Sequence, residues 1–354
     1  MRYRRLGRTE LQVPVVGFGA WAIGGWYWGG TDDDLALGAV RAALDAGMTA
    51  IDTAPVYGFG HSERVVGRAI AGRRDEVVLM TKVGLRWDDP RGEFHFRTVD
   101  AKGDVVRVHR NARPDSVRTE VERSLERLAV EHVDLIQVHW PDPTTPVAET
   151  MGALAELRAE GKVREIGVSN YPPDLVEEAR LALGDVPLAS DQCKYSLVAR
   201  DIERDLLPYA RAREVGVLAY SPLEQGLLTG EVPESRSFPA DDGRNKRPSF
   251  RRENRRRTNA VLSEVVEPIA RARGRSIAQA VLAWTIAQPG VTSALVGARS
   301  AEQARANAAA GDVELAPEEL ARIDGAFRGL ELDLAPGGGG VLGMLRRMAR
   351  GGRG

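Results

Sequence analysis

The sequence predicts a single (β/α)8 barrel of the α/β class, with an N-terminal plug at its bottom and a long loop after the seventh strand. Eight short β-branched runs alternate with longer helical patterns along the 354 residues, which is typical of parallel strands joined by crossover helices. The composition shows no break that would mark a second domain, and such barrels occupy roughly 200 residues or more as one domain. We therefore expect residues 1–335 to form the barrel and 336–354 a flexible Gly- and Arg-rich tail.

The individual elements follow from periodicity and from helix start and stop signals. The predicted strands are residues 15–18, 50–52, 77–82, 135–139, 165–168, 188–193, 217–220 and 291–296. The predicted helices include residues 32–46, 114–129, 146–160 and 172–183. Several begin with Ser, Asp or a first-turn Pro, and Gly47, Gly161 and Gly184 follow the ends of three of them.

Three segments depart from the strand and helix repeat. Residues 3–11 precede the first strand, and we expect them to plug the bottom of the barrel. Residues 88–113 form a polar insertion after the third strand, where Lys102-Gly103 lies between strand-like residues and predicts a small hairpin. Residues 231–257 are rich in Arg, Asp and Pro and form the long loop after the seventh strand.

Bulk composition excludes several classes of function. The 49 basic and 50 acidic residues nearly cancel, so the surface as a whole does not favour nucleic acid or an anionic membrane. The single cysteine, Cys193, excludes an internal disulfide framework, and the histidines lack the spacing of a zinc site. No apolar stretch is long enough to span a bilayer. We expect a cytoplasmic protein with a small-molecule substrate and no metal, and the sequence leaves open whether it is a monomer or a homo-oligomer.

Unusual polar residues stand at the carboxyl ends of six different predicted strands. They are Asp52, Lys82, His139, Ser169, Gln192 and Tyr220. For a single such residue, a cap or a surface loop is the simpler interpretation. Six such residues at the carboxyl ends of different strands would all lie on one rim of a barrel, and this rim is where barrel enzymes place their active sites.

These groups suit hydride transfer to a carbonyl with protonation of the developing alkoxide. Tyr57 is a suitable acid if a cation lowers its pKa, and a charge about 4 Å away contributes roughly 4 kcal/mol, or about three pKa units, at an effective dielectric of about 20. Lys82 is predicted to bring the pKa of Tyr57 toward neutrality in this way. Asp52 would supply the counter-charge, and His139 would orient the substrate oxygen.

The motifs around these residues resemble those of the aldo-keto reductases. The matching segments are Asp52-Thr-Ala-Pro-Val-Tyr57-Gly-Phe-Gly-His-Ser-Glu63, Thr81-Lys82, Val138-His139, Gly161-Lys-Val-Arg-Glu-Ile-Gly-Val-Ser169-Asn170 and Ala219-Tyr220-Ser221-Pro222-Leu223. The resemblance extends from about Tyr3 to Phe327. It is closest to the bacterial branch that includes inositol-regulon reductases, and potassium-channel β subunits are more distant.

The resemblance implies a catalytic tetrad and a cofactor site. Asp52, Tyr57, Lys82 and His139 would form the tetrad, with Tyr57 as the proton donor. Cofactor contacts would come from Gly19, Trp21, Asp52, Ser169, Asn170, Gln192, Tyr220, Ser221, Pro222, Leu223, Gly226, Leu228, Arg244, Lys246, Gly297, Arg299, Gln303 and Asn307. The loop at 231–257 would cover the cofactor. Arg299, at a helix start, would bind a 2′-phosphate, which favours NADP(H) over NAD(H).

The substrate side of the site is predicted to be aromatic. Trp21, Trp26, Trp28 and Trp140 would line it together with Tyr57 and His139, although core packing or a subunit contact would also explain the tryptophans of the first loop. The leading hypothesis is an enzyme that reduces aldehydes or ketones, or runs in the reverse direction. Two alternatives stay open: an NADP(H)-binding redox-sensing barrel with slow turnover, and a Schiff-base aldolase that uses Lys82.

Overall fold

Strands and helices alternate along the chain. The structure is a computed structural model that describes residues 1–28, 30–100, 102–240 and 242–335. The strands are β1 (Tyr3–Arg5), β2 (Gln12–Pro14), β3 (Val16–Gly19), β4 (Ala50–Asp52), β5 (Val78–Val83), β6 (Leu85–Arg86), β7 (Glu93–Val99), β8 (Val105–Arg110), β9 (Val133–Val138), β10 (Val163–Ser169), β11 (Leu188–Lys194), β12 (Gly216–Tyr220) and β13 (Val291–Val296). The helices are α1 (Asp33–Asp45), α2 (His61–Ile70), α3 (Pro114–Leu128), α4 (Val147–Ala159), α5 (Pro173–Ala182), α6 (Leu206–Arg213), α7 (Arg252–Val261), α8 (Glu267–Ala272), α9 (Ile277–Ala287), α10 (Ala301–Ala308) and α11 (Pro317–Arg328).

Eight parallel strands close into a barrel in the order β3-β4-β5-β9-β10-β11-β12-β13, and β13 pairs with β3 to complete it. Each of the eight predicted strands corresponds to one of them, so the predicted (β/α)8 fold is confirmed. The bounds differ by at most two residues, as in β9 and β10, which both begin earlier than predicted. The helices pack outside, and their apolar faces share the main core with the outward side chains of the strands.

The N-terminal segment closes the bottom of the barrel. Strands β1 and β2 form an antiparallel hairpin, and Leu6 between them is fully buried. Leu6 clusters with one apolar residue from each of six barrel strands, an arrangement possible only inside the barrel. Gly7 follows in the left-handed region at φ +58°, where an added Cβ would lie 2.5 Å from the carbonyl oxygen of Ala189. The predicted plug is therefore confirmed, and its turn requires glycine.

The insertion after β5 forms a small sheet beside the mouth of the barrel. Strands β6, β8 and β7 make an antiparallel sheet in that order, and Val99 pairs with Val105 across the turn that contains Lys102. The predicted hairpin is thus present. The long loop after β12 differs from the prediction at its end, because residues 252–257 belong to α7 rather than to the loop.

The helix bounds agree with the sequence signals. The side chain of Asp32 accepts a hydrogen bond from the backbone N–H of Leu35 and begins α1, and Ser276 begins α9 with a capping box. Of the described helices, none is both long and apolar enough to cross a membrane. The predicted flexible tail, residues 336–354, lies outside the described residues.

Candidate active site

The carboxyl ends of the barrel strands bring the predicted rim residues into one hydrogen-bonded group. At its centre, the ammonium of Lys82 on β5 and the carboxylate of Asp52 on β4 are both buried, and Lys82 Nζ lies 2.6 Å from Asp52 Oδ2. The same nitrogen donates to the carbonyl oxygen of Thr53 at 3.0 Å and to Tyr57 Oη at 3.3 Å. All three ammonium hydrogens therefore have acceptors.

Asp52 is held from the other side by two amides. Gln137 Nε2 and Gln192 Nε2 donate to Asp52 Oδ1 at 3.1 and 2.8 Å, and Gln192 Nε2 also donates to Gln137 Oε1 at 3.1 Å. The two oxygens of Asp52 thus face a cation and two neutral donors, which is how a buried carboxylate is tolerated. Gln137 was not predicted as a site residue, although a Gln two residues before His139 in an apolar strand is a signal that could have indicated it.

Tyr57 lies above this pair on the loop between β4 and α2, and its side chain is half-buried. Burial raises the pKa of Tyr57 well above its usual value, and the nearby Asp52 carboxylate adds to the rise. The prediction that Lys82 brings this pKa toward neutrality is therefore wrong. The physical reason is that burial disfavours the charged phenolate, while the charge of Lys82 is largely compensated by Asp52 at 2.6 Å.

His139 follows β9 and its ring packs edge-on against Tyr57, with ring centroids 5.8 Å apart. Its backbone N–H donates to the carbonyl oxygen of Val83 at 2.9 Å, which fixes its height on the rim. Burial lowers the pKa of His139 well below its usual value, and the charges of Lys82 and His95 act in the same direction. The imidazole is therefore neutral at physiological pH, so that one ring nitrogen carries a hydrogen.

The residues predicted for a nicotinamide carboxamide form a continuous chain of hydrogen bonds. Tyr220 Oη donates to Asn170 Oδ1 at 2.9 Å, and Asn170 Nδ2 donates to Ser169 Oγ at 2.9 Å and to the carbonyl oxygen of His139 at 3.1 Å. Ser169 Oγ donates to the carbonyl oxygen of Gln192 at 2.8 Å. Asn170 has φ +60°, a strained conformation for a non-glycine residue that this network holds in place.

Aromatic side chains of the first loop stand next to Tyr57. The ring centroid of Trp21 lies 6.3 Å from that of Tyr57 and 5.3 Å from that of Trp28. Trp26 lies farther out, where it stacks on Phe96 of β7 at 5.8 Å and donates from Nε1 to Thr98 Oγ1 at 2.8 Å. The aromatic residues of the first loop therefore pack against the hairpin insertion.

Trp140 directly follows His139 in the chain. It packs in a small cluster with Tyr57, Phe59 and Trp87, and its ring centroid lies 5.2 Å from that of His95. His95 was not predicted as a site residue. No sequence pattern marked it, because its position depends on how the hairpin folds over the mouth.

Residues predicted for the adenosine end of a dinucleotide gather at the start of α10. Ser300 caps this helix, and the guanidinium of Arg299 donates to the carbonyl oxygens of Trp28 and Gly30 at 3.3 and 3.1 Å. Gln303 Oε1 accepts from the backbone N–H of Arg299 at 2.9 Å, and Asn307 Nδ2 donates to the carbonyl oxygen of Gly297 at 3.2 Å. Gly297 lies against Gly19, since an added Cβ would stand 3.4 Å from the carbonyl oxygen of Gly19.

The segment after β12, residues 221–228, is strained. Ser221, Glu224 and Gln225 all have positive φ values, of 56°, 44° and 57°. Pro222 and Leu223 are buried, and the side chain of Leu228 is fully buried. The backbone N–H groups of Gly226 and Leu228 both donate to the carbonyl oxygen of Leu223. Strain of this kind concentrates at ligand sites.

Within this segment, Gln225 carries a buried Oε1 with no hydrogen-bond partner among the described residues. The buried carboxylate of Glu224 pairs with Lys194 Nζ at 2.6 Å. Neither Gln225 nor Glu224 was predicted. An unpartnered buried oxygen in a strained turn fits a segment that contacts a ligand.

The loop after β12 reaches across the mouth to the first loop. Tyr27 Oη donates to the carbonyl oxygen of Gly243 at 2.9 Å and accepts from Arg247 Nε at 2.9 Å. A Cβ at Gly243 would overlap the Tyr27 ring, so this contact requires glycine. Arg244 pairs with Asp242 at 2.6 Å and its guanidinium lies 5.4 Å from the centre of the Trp28 ring, whereas Lys246 is exposed.

The residues present suit a nicotinamide dinucleotide. Amide and hydroxyl groups stand at the nicotinamide end, a tyrosine lies beside them, a strained turn follows, and a capped helix start with an arginine stands at the far end. Oxygen-rich anions are favoured at such a helix start. Among the described residues, no group of three or more His, Cys, Asp or Glu side chains is arranged to hold a metal ion.

Comparisons with known proteins show which family this chain resembles. The sequence profile of the aldo/keto reductase family matches residues 15–328. Among curated proteins, the aldo-keto reductase YhdN of Bacillus subtilis (strain 168) is 39% identical over 86% of this chain and 87% of its own length. The NADH-specific methylglyoxal reductase of Escherichia coli (strain K12) is 37% identical over 88% of this chain and 93% of its own length. Among solved structures, the glycerol dehydrogenase AKR11B4 from Gluconobacter oxydans superposes with a TM-score of 0.82, with 40% identity over 93% of this chain and 95% of that one.

Proposed function

Because the chain belongs to the aldo/keto reductase family, we propose that it reduces small aldehydes and ketones with NADPH, with Tyr57 as the general acid. The observation that carries this proposal is the set of hydrogen bonds around Lys82 Nζ. Asp52, Thr53 and Tyr57 accept its three hydrogens. Tyr57 Oη is an acceptor in that set, so its own hydrogen is free to be donated into the mouth of the barrel.

The proton transfer can be derived from these side chains. A carbonyl oxygen that approaches Tyr57 Oη would accept the phenol hydrogen, and a neutral His139 would donate a second hydrogen bond to the same oxygen. Lys82, which remains fixed by Asp52, would stabilise the negative charge left on Tyr57. The nicotinamide cofactor would supply the hydride to the carbonyl carbon. Ser169, Asn170, Gln192 and Tyr220 would hold its ring end, and residues 221–228 its pyrophosphate.

The preference for NADPH rests on charge near α10. The guanidinium of Arg299 is exposed, and its positive charge acts on Asp242, which itself pairs with Arg244. Two guanidinium groups and one carboxylate leave a single net positive charge. A 2′-phosphate on the adenosine would be attracted both by this positive charge and by the N-terminus of α10. We therefore infer that Arg299 distinguishes NADPH from NADH, in contrast to the NADH-specific relative from Escherichia coli.

The direct test is oxidation of reduced cofactor, followed by its near-ultraviolet absorbance, with a panel of carbonyl compounds. The panel includes methylglyoxal, and glycerol is tested in reverse, since these are named for the relatives. We expect turnover with NADPH that exceeds turnover with NADH. If no carbonyl compound is reduced with either cofactor, the proposal fails and a redox-sensing barrel with slow turnover takes its place.

The aldolase alternative is tested in the same preparation. A Schiff base requires an uncharged lysine with a free nitrogen lone pair. Burial lowers the pKa of Lys82, but the Asp52 carboxylate 2.6 Å from its Nζ favours the charged ammonium and occupies one of its hydrogens. We expect borohydride with an aldehyde or ketone to leave Lys82 unmodified in mass spectrometry. A covalent adduct on Lys82 would overturn the reductase assignment of this residue.

Replacing Arg299 with Ser is expected to raise KM for NADPH about tenfold and to leave KM for NADH within about twofold, because a charge-assisted hydrogen bond to phosphate contributes about 1.5–3 kcal/mol. Initial rates with both cofactors at a saturating carbonyl concentration measure this. Arg305→Ser, which removes an exposed arginine from the same helix, is the matched control. Equal changes in KM for both cofactors would show that Arg299 does not recognise a 2′-phosphate.

A further inference from the structure

The hairpin insertion carries a β-bulge next to the mouth of the barrel. Phe94 pairs with His109 and Phe96 with Val108, so two steps along β7 correspond to one step along β8 and His95 is the extra residue. A bulge of this type changes the direction of the side chain it carries and is common beside active sites. Phe94, before the bulge, is exposed, whereas Phe96, after it, packs on Trp26 toward the barrel.

His95 consequently lies beside the proposed substrate site. Its ring centroid is 5.2 Å from that of Trp140 and 5.2 Å from that of Phe96, and its charge acts on the pKa of His139. The side chain is half-buried. Its ring nitrogens make no hydrogen bond to any other residue that the structure describes.

An imidazole in these surroundings is unusual. Phe96 and Trp140, whose ring centroids both lie 5.2 Å from that of His95, present mainly hydrocarbon surface to it. A substrate that displaces water from this half-buried imidazole must therefore supply a hydrogen-bond partner or leave the imidazole unpaired. Tyr57 and His139 already serve the oxygen of the reacting carbonyl in the proposed function. The imidazole of His95 is therefore available to hydrogen-bond a different atom of the substrate.

We propose that His95 is a specificity-determining residue whose imidazole hydrogen-bonds a second oxygen of the substrate. The favoured substrates would then be small aldehydes and ketones that carry a hydroxyl or keto group close to the carbonyl. This inference rests on the proposed function and adds the class of substrate to it. A site with a positioned hydrogen-bonding group discriminates against analogues that lack the partner, because its own polar group is then left unpaired.

The test compares glyceraldehyde with propanal, which has the same carbon chain without the hydroxyl groups. For the wild-type protein we expect kcat/KM to be larger for glyceraldehyde. In His95→Phe, which keeps an aromatic ring, the ratio of the two kcat/KM values should fall about tenfold or more, mainly through KM for glyceraldehyde. His95→Asn, which keeps a donor and an acceptor, should recover part of the ratio.

Phe94→Leu is the matched control, since Phe94 precedes His95 on the same strand and its side chain is exposed. We expect it to leave the ratio unchanged. If His95→Phe lowers kcat/KM equally for glyceraldehyde and propanal, His95 has only a structural role and the proposal is overturned. An unchanged ratio would overturn it as well.

A binding measurement separates this proposal from the proposed function. Titration of tryptophan fluorescence with glycerol and with 1-propanol requires no turnover. Tighter binding of glycerol that is lost in His95→Phe would support the role of His95 even if no carbonyl compound were reduced. Failure of the wild-type protein to reduce any carbonyl compound would count against the proposed function alone, whereas equal binding of both alcohols would overturn the role of His95.

Discussion

Replacing Tyr57 with Phe is expected to lower kcat for carbonyl reduction by about 10³-fold, because a positioned general acid contributes about 10²–10⁴-fold. The substitution removes the hydroxyl and keeps the ring that packs between Trp21 and His139. Lys82 Nζ would lose one of its three acceptors and keep Asp52 and Thr53. The fold and the cofactor site should therefore remain intact, and the loss should appear in kcat. Single-turnover reduction measures the loss in the chemical step, and fluorescence titration with NADPH measures cofactor binding separately.

Tyr209→Phe is the matched control for this substitution. The Tyr209 hydroxyl donates to Glu177 on the outside of the barrel, so its removal should leave kcat unchanged. If kcat of Tyr57→Phe stays within about tenfold of the wild-type value, another group must protonate the alkoxide. Such a result would reject the proposed acid without rejecting the reductase function.

The pH dependence provides a second measurement of the same role. Burial and the Asp52 carboxylate raise the pKa of Tyr57, so the phenol stays protonated through the neutral range. Reduction needs the protonated form, and its rate should be flat through neutrality and fall only at alkaline pH. Alcohol oxidation needs a base at this position, and its rate should rise as the pH increases. A reduction rate that already falls with increasing pH around neutrality would show that Tyr57 is not the titrating acid.

The barrel and its rim could be predicted from the sequence because both depend on local patterns. Each parallel strand is a short β-branched run that is buried on both faces, and its carboxyl end must lie on the same rim as the others. Asp52 and Lys82 therefore end adjacent strands, and Gln192 ends a strand on the same rim. Their hydrogen bonds in the structure agree with this reasoning.

Other features of the site depend on distances that no local pattern specifies. The pKa of Tyr57 is raised first by burial of the phenol and then by the Asp52 carboxylate. The predicted lowering of this pKa took account of the Lys82 charge but not of the burial or of Asp52, which lies 2.6 Å from Lys82. His95 reaches the mouth only because a bulge changes the alternation of β7. A single inserted residue of this kind reverses which face a strand presents. No local pattern predicts the contact of Tyr27 with Gly243 either, because the two residues are more than two hundred positions apart in the chain.

Replacing Lys82 with Met is expected to lower the free energy of unfolding by about 3–5 kcal/mol, because it leaves the buried Asp52 carboxylate without its cation. Gln137 and Gln192 would still donate to Asp52 Oδ1, which places the loss toward the lower end of that range. Urea denaturation followed by circular dichroism measures it. Lys162→Met, which removes an ammonium from ion pairs at the surface, should have a much smaller effect, since exposed pairs contribute little.

The double variant Lys82→Met with Asp52→Asn distinguishes two causes of the instability of Lys82→Met: the unpaired charge of the buried Asp52 carboxylate, and the loss of the contacts that Lys82 makes. If the unpaired carboxylate causes the instability, removing its charge should restore most of the stability, so the two changes together cost less than their sum. Additive losses would mean instead that Asp52 is neutral in the folded protein. In that case the ammonium of Lys82 would not be compensated, and charge compensation by Asp52 could not account for the raised pKa of Tyr57. The Asp52 charge therefore acts on both the stability of this pair and, in addition to burial, the pKa of the proposed proton donor.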